Sequence, residues 1–468
     1  MKRILFISLA VVLGLSIGLI GCGGETQPPE APESIKVGMA RDLDGLLSVF
    51  ECGYGGVSSR YMVNKINAEG GIYLSDYEES VPVELVVRDF DLMTWDLADV
   101  TEALIVSDEV DFIFGGPGTD CIFTQAPVCN AHATIFIGLE GGSASMIWDG
   151  DIDNWPYVFP SLSFSTWYQM PVLHSIMQEV TGKENPVVYM TYIGGPGATH
   201  GIEYSEACKI SFGEDYFIDG GFHDYDLFET GAAPAVISAA QAALGDPANP
   251  NYDICILQSY PWNTAALTIA LLGSDFNPPA IVMGPGAMGY EYPANFGPVA
   301  TNGVICYAVA TAEQSPELAA MYDDLAVQVE ADWDDPDLPC EKGSYTSGYD
   351  QLDVWGNPCY VAGIEIWAQA VENAGNLEST AVRNELIKFS ETNPADTSLG
   401  DAWFYIFGNG NGGGLLDYKC HKGEILQWQG GDAKIIGYDG VESVIPAYDA
   451  TGDLMYPMTD QWAWMLAS

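Results

Sequence analysis

Two glycine-rich turns hold the residues best placed to do chemistry. Gly115-Gly116-Pro117-Gly118-Thr119-Asp120 follows the apolar run Val110-Asp111-Phe112-Ile113-Phe114, and Gly138-Leu139-Glu140-Gly141-Gly142-Ser143 follows Thr134 to Ile137. Such turns present backbone N–H groups to a bound molecule. A phosphate loop would need Gly-x-x-x-x-Gly-Lys-Ser/Thr, or Gly-x-Gly-x-x-Gly at a first β-α turn. The 115–120 turn has no lysine, carries Asp120 and follows a third strand, so nucleotide binding is set aside. A single Gly-x-Ser-x-Gly, Gly14 to Gly18, falls inside an apolar leader, where it has no catalytic context. Asp149-Gly150-Asp151-Ile152-Asp153-Asn154 opens like a calcium loop but has Asn154 where glycine is needed and Pro160 where glutamate should stand. Cys420-His421 reads as polar surface. No metal, no cofactor and no catalytic residue is expected.

The elements that must position these turns alternate. Ile35 to Ala40 reads as a strand, Tyr54 to Asn67 as a helix stopped by Ala68-Glu69-Gly70-Gly71, Val81 to Arg88 as a strand and Thr94 to Val106 as a helix. The strand before the first turn, the helix Asp120 to Asn130 and the strand Thr134 to Ile137 continue the rhythm. It restarts with a strand at Val187 to Tyr192 and a Gly-Pro turn at 194–197. Strands at Asp253 to Leu257, Ala280 to Met283 and Gly303 to Val309 follow, with a helix at Asn263 to Leu272. Helices are expected at Pro316 to Val329, Val361 to Ala374 and Ser379 to Phe389, with a surface insertion at Asp332 to Glu341 and a strand-rich tail from about 400. The β-α alternation implies parallel sheets covered by helices, and its restart implies two similar lobes. Ligands in such sheets lie beyond the carboxyl ends of strands, so the turns at 115–120 and 138–143 should face one point.

Composition narrows the setting. There are 65 acidic residues against 15 Lys plus Arg, a net charge of −50. That field repels nucleic acid and anionic surfaces. Lys2 and Arg3 precede an apolar run from Ile4 to Ile20, which describes an export leader. Leu19-Ile20-Gly21-Cys22 is similar to a bacterial lipobox, which would lipidate Cys22, and the Pro-containing stretch Gly23 to Glu33 reads as a tether. An exported chain can oxidise its cysteines. Cys340 and Cys359 bracket a Gly-rich stretch and are expected to pair.

Ile35-Lys36-Val37-Gly38, Asn64 to Ile72, Val83 to Asp89, the Gly-Pro turn with Thr119, and Ala368 to Gly375, taken in order, resemble the branched-chain amino-acid type of ABC-transporter solute-binding protein. The resemblance implies an α/β fold of two Rossmann-like lobes, the type I periplasmic binding protein arrangement, joined by three crossovers and closing over a small ligand. The expected division is 1–21 leader, 22–34 lipidated tether, 35–158 plus 287–396 one lobe, and 159–286 plus 397–468 the other. Carried over by position, Thr119 and Asp120 stand where hydroxyl residues meet ligand, Gly141, Gly142 and Ser143 form the second turn, and Phe50 follows the first strand. His200 and Tyr260 supply aromatic groups from the other lobe, each with core packing as its other reading. Cys52 and Cys121 both fall by the crevice mouth, where a local disulfide fits.

One departure bears on the ligand. Amino-acid binders have a glutamate after Met-Gly-Pro to hold the ammonium group, whereas Met283-Gly284-Pro285 is followed by Gly286. A buried unpaired ammonium is costly, so a carboxylate, amide or urea is favoured unless Asp120, Asp42 or Glu140 replaces that glutamate. Asp120 either caps its helix or takes that part. The expected role is an exported, lipid-anchored receptor working with ABC permease and ATPase subunits. The alternatives are a ligand sensor feeding a signalling partner, an extracellular hydrolase and a structural lipoprotein.

Overall fold

The computed structural model describes residues 28–92, 94–139, 141, 155–161, 165–194, 198–406, 414–416 and 424–437. The leader, Cys22, Glu140, Gly142, Ser143, the 149–154 loop and Cys420-His421 lie outside the described residues. Among the described residues no helix is long and apolar enough to cross a membrane.

Five parallel strands form the first sheet: β1 (Ile35–Arg41), β2 (Val83–Asp89), β3 (Phe112–Phe114), β4 (Ile135–Gly138) and β5 (Val158–Pro160), in the order β2-β1-β3-β4-β5. The central strands β3 and β4 are buried throughout, as continuous apolar runs must be when helices cover both faces. The covering helices include α1 (Gly55–Ala68), α2 (Leu97–Val106) and α3 (Thr119–Ala131).

The second sheet is mixed, in the order β12-β11-β10-β9-β8-β6-β7. It contains β6 (Val188–Ile193), β7 (Phe217–His223), β8 (Ile254–Leu257), β9 (Ile281–Val282), β10 (Ile305–Ala308), β11 (Glu424–Gln429) and β12 (Asp432–Gly437). Strands β6 to β10 are parallel, and β11 and β12 add antiparallel at one edge. Its helices are α4 (Ser165–Thr181), α5 (Ala198–Phe212), α6 (Ala233–Leu244), α7 (Pro261–Leu272) and α8 (Glu291–Ala300). The chain then returns to the first lobe, where α9 (Pro316–Asp332) and α10 (Gly356–Ala374) pack on α1, followed by α11 (Ser379–Leu386).

Two expected boundaries move. The crossover placed at 287 comes after β10, because Ile305 pairs with Val282 and extends the second sheet. The one placed at 397 comes later still. A hairpin of Ala395–Thr397 with Gly400–Ala402 packs on α10, and Gly414–Leu416 lies against β5, so the tail rejoins the second sheet only at β11. The first lobe also keeps the whole of β5, to Pro160.

Both expected cysteine pairings are corrected. The disulfide joins Cys52 to Cys340, with 5.1 Å between Cα atoms and a sequence separation of 288. Cys359 is buried in the first turn of α10 and Cys121 in the first turn of α3, and neither forms a disulfide. The bridge ties the turn Val49–Cys52 to the 332–341 insertion.

Several carboxyls are buried where their charge is unwelcome. Asp353 accepts hydrogen bonds from the N–H groups of Trp355, Gly356 and Asn357 at the start of α10, yet burial, with Glu291 nearby, pushes it up to about 7. Glu291, which accepts a 2.8 Å hydrogen bond from Tyr54 Oη across the lobes, is pushed by burial to about 7. Glu424 is pushed by burial to about 8 despite its contacts with Gln314. These groups hold their protons more tightly folded than unfolded. Their stabilisation is complete below the ordinary carboxyl range and is lost as pH rises through about 7 to 8. The melting temperature is therefore expected to be higher at pH 5 than at pH 8.5 at constant ionic strength, and Glu424→Gln should flatten that slope.

Candidate functional site

Loops at the carboxyl ends of both sheets line a small, partly open cleft. The first lobe supplies Leu47 and Phe50 after β1, Trp95 after β2, and Pro117 to Cys121 after β3. The second lobe supplies Tyr225 after β7 and Tyr260 after β8.

The 115–120 turn is held from inside its own lobe. The rings of Phe112 and Phe114 meet Trp367 of α10 edge-on at 5.4 and 5.1 Å, fixing the end of β3. Gln125 of α3 turns back so that its Oε1 accepts from Gly116 N–H at 2.7 Å. Gly118 is the residue before the helix, with φ of 83°, a left-handed conformation that suits glycine. Gly118 holds the N-cap position, two residues before Asp120. Asp120 stands in the first turn, where a carboxylate is favoured by the helix dipole, and lines the cleft beside Thr119. Gly141 is buried against Thr119, its Cβ position 3.3 Å from Thr119 Cα, so the two turns converge as the strand order requires.

Phe50 rides on a buried ion network. Arg41, at the end of β1, donates to Phe50 O at 2.7 Å and to Glu51 Oε2 at 2.6 Å, and Arg60 of α1 bridges Glu51 and Asp332. Asp42 accepts from Gly45 and Leu47 N–H, shaping the turn that presents Leu47. Asp42, Asp44 and Asp89 gather there, but Asp42 and Asp89 already accept loop N–H groups, so the cluster shapes the loop.

The opposite wall is a stack of rings. Tyr260 precedes Pro261 at the start of α7 and stacks on Trp262 at 5.2 Å and 24°. Trp262 donates to Tyr225 O at 2.9 Å, and Tyr225 meets both rings at 6.1 and 5.4 Å. Phe50 reaches Trp262 edge-on at 6.2 Å, a ring contact between lobes. Burial, reinforced by Cys121, Asp120, Asp42 and Asp226, pushes the Tyr225 hydroxyl up, so it stays neutral.

Of the residues expected from sequence, Phe50, Thr119, Asp120 and Tyr260 line the cleft. His200 is brought beside Tyr260, 6.4 Å between rings, but lies behind it, and burial pushes it down to about 3. Gly286 also lies behind Tyr260. It donates to Ser259 O at 2.7 Å, and a Cβ there would sit 2.6 Å from the Tyr260 carbonyl group and press on Thr264 Oγ1. A glutamate cannot occupy this position without moving Tyr260. Leu47, Trp95, Tyr225 and Trp262 were not anticipated. Trp262 follows a recognised strand end, two residues after the Tyr260 that the family resemblance supplied.

The family model of periplasmic binding proteins matches residues 34–404. The chain belongs to the periplasmic binding protein family. The family places it outside the cytoplasm, with a small-solute-binding role. Among solved structures, the branched-chain amino-acid transporter substrate-binding protein LivJ from Streptococcus pneumoniae, in complex with isoleucine, matches 86% of this chain and 99% of its own. The TM-score is 0.61 and the identity 16%. A leucine-binding protein LivK from Thermotoga maritima matches 86% and 98%, with TM-score 0.61 and 14% identity. A substrate-binding protein from Desulfitobacterium hafniense in complex with leucine matches 86% and 100%, with TM-score 0.56 and 13% identity. At this identity the likeness speaks to the fold. No curated protein matches the chain. This periplasmic binding protein thus has the two-lobed type I architecture, and its cleft is where the architecture puts a solute.

Proposed function

We propose that this protein is the solute receptor of an ABC importer, held to the cell envelope through lipidated Cys22 and capturing a small organic molecule between its lobes by closure. The observation that carries the reading is a cleft with aromatic walls from both lobes, Phe50 and Trp95 facing Tyr225 and Tyr260, at the carboxyl ends of two parallel sheets. Nothing in the lining calls for a bond to be made or broken, and binding without chemistry is the role proposed. Exchanging Cys22 for serine should release the protein from the membrane fraction.

The test is a thermal-shift screen of the mature chain against amino acids, aromatic and aliphatic carboxylates, amides and amines. A ligand that binds only the folded state raises the melting temperature by mass action, and at least one small solute is expected to do so. A blank screen would count against a receptor. Thr119→Ala should weaken the best solute by roughly fivefold, the scale of one hydrogen bond, and leave the fold intact, read by titration calorimetry. The same screen tests the expectation drawn from Gly286. A response to leucine alone, with none to a carboxylate or amide, would overturn it.

A further inference from the structure

We propose that the contact of Tyr54 with Glu291 is a pH-sensitive latch between the lobes: they come together with Glu291 protonated and part as it ionises. The latch depends on the two-lobed fold and not on which solute is bound.

It lies where chain segments pass between the lobes. Tyr54 is fully buried at the start of α1 in the first lobe. Its Oη donates at 2.8 Å to Oε1 of Glu291, a partly buried residue in the first turn of α8 in the second lobe. Gly289 leaves room for the contact, since a Cβ there would lie 2.8 Å from Tyr54 Oη and 3.1 Å from Glu291 Cγ. Beside it runs the segment 352–354, which leads into α10. Tyr290 N–H donates to Leu352 O at 2.8 Å and Val354 N–H to Met288 O at 3.1 Å, which sets Gly289 opposite Asp353. Val309, just past β10, donates to Val354 O at 2.8 Å. Glu291 therefore meets a phenol and a second carboxyl at the place where the lobes touch.

The groups that face Glu291 are acidic or neutral. It and Asp353 oppose each other's ionisation. Tyr345 feels its charge, and the turn 348–351, with Tyr349 and Asp350, packs on α8. β11 also packs on α8 and has Glu424 as its one charged residue, while α8 itself has only Glu291. The cations of the neighbouring elements are engaged elsewhere. Arg60 of α1 bridges Glu51 and Asp332, Lys65 of α1 lies over Tyr61, and Lys342 of the insertion lies over Trp333. Burial pushes Glu291 up to about 7, and the Tyr54 hydrogen bond only partly opposes it. Parting the lobes breaks that bond and lets water reach the carboxyl, which returns towards its ordinary range. The closed arrangement thus holds a proton that the open one gives up. Its advantage is complete below the ordinary carboxyl range and is lost as pH rises through about 7. One such proton shifts the closed-to-open ratio at least about tenfold between pH 5.5 and pH 8.5.

The experiment is small-angle X-ray scattering of the mature chain without added solute, at pH 5.5 and pH 8.5 and constant ionic strength, with circular dichroism to confirm folding. The parent is expected to have the larger radius of gyration at pH 8.5. Glu291→Gln keeps an acceptor for Tyr54 but cannot ionise, and it should stay compact at both pH values. Gly289→Ala displaces the Tyr54 hydroxyl and should be expanded already at pH 5.5. A parent radius that does not change with pH overturns the latch. So does a Glu291→Gln variant that expands as much as the parent, the result that general repulsion in so acidic a chain would give. A Gly289→Ala variant with the parent's pH response overturns it as well. In each case the receptor reading, which stands on solute binding, is left in place.

Discussion

Replacing Glu51 by alanine is expected to cost about 3–5 kcal/mol of stability, the usual cost of removing one partner of a buried ion pair. Glu51 is 1% exposed and bonds two arginines. Burial opposes its charge, but Arg41 and Arg60 more than offset that, and its carboxyl stays below the usual range. Arg60 would keep Asp332 at 2.8 Å. Arg41, equally buried, would be left with the Phe50 carbonyl and the Tyr360 hydroxyl, at 2.7 and 3.3 Å. The effect should reach the cleft, because Arg41 holds the turn bearing Phe50 and Cys52. Urea unfolding with an unchanged slope would report the loss. A change below about 1 kcal/mol would mean that the network is not holding this wall.

Gly286→Glu is the second large effect, and its direction runs against what the family resemblance alone suggests. Restoring a glutamate after Met283-Gly284-Pro285 ought to rebuild an amino-acid site. In this chain the new Cβ collides with the Tyr260 carbonyl group and Thr264 Oγ1, and Thr264 is buried and hydrogen-bonded to Ser259 Oγ. Overpacking of this kind costs about 1–3 kcal/mol or more, and relief can come only by shifting Tyr260 off Trp262. The variant is expected to melt lower and lose its response to any solute that stabilises the parent. A variant of wild-type stability that gained leucine binding would contradict the placement of Gly286.

The comparison of sequence with structure turns on locality. The loop after β3 was legible because buried parallel strands read as short apolar runs that stop at turn residues, which gave Thr119 and Asp120, while Phe50 and Tyr260 came from the family resemblance by position. Tyr225 was missed because β7 is a half-exposed edge strand with Gly220 and Gly221 inside it, so neither apolar run nor alternation marks it. Trp95 was absorbed into an expected helix that starts only at Leu97. α4 carries Pro171 within its span, which masks a helical pattern. The disulfide partner of Cys52 is 288 residues away, a distance set by how α9 packs on α1 and not by any spacing. The boundary at 287 failed for a similar reason. Ile305 to Ala308 is plainly a strand in sequence, but which sheet it joins is decided by its pairing with Val282.

The central claim is that one solute is held by both lobes at once. Calorimetric titration of the solute that most raises the melting temperature, against Trp95→Ala from the first lobe and Tyr260→Ala from the second, tests it most directly. Both rings line the cleft, and each is fixed from behind, Trp95 by its 3.0 Å hydrogen bond to Thr124 and Tyr260 by Trp262. Each variant, folded by its unfolding transition, is expected to bind about tenfold more weakly or worse, as truncation of a buried aromatic contact does. A folded variant of either kind that keeps wild-type affinity would contradict binding between the lobes.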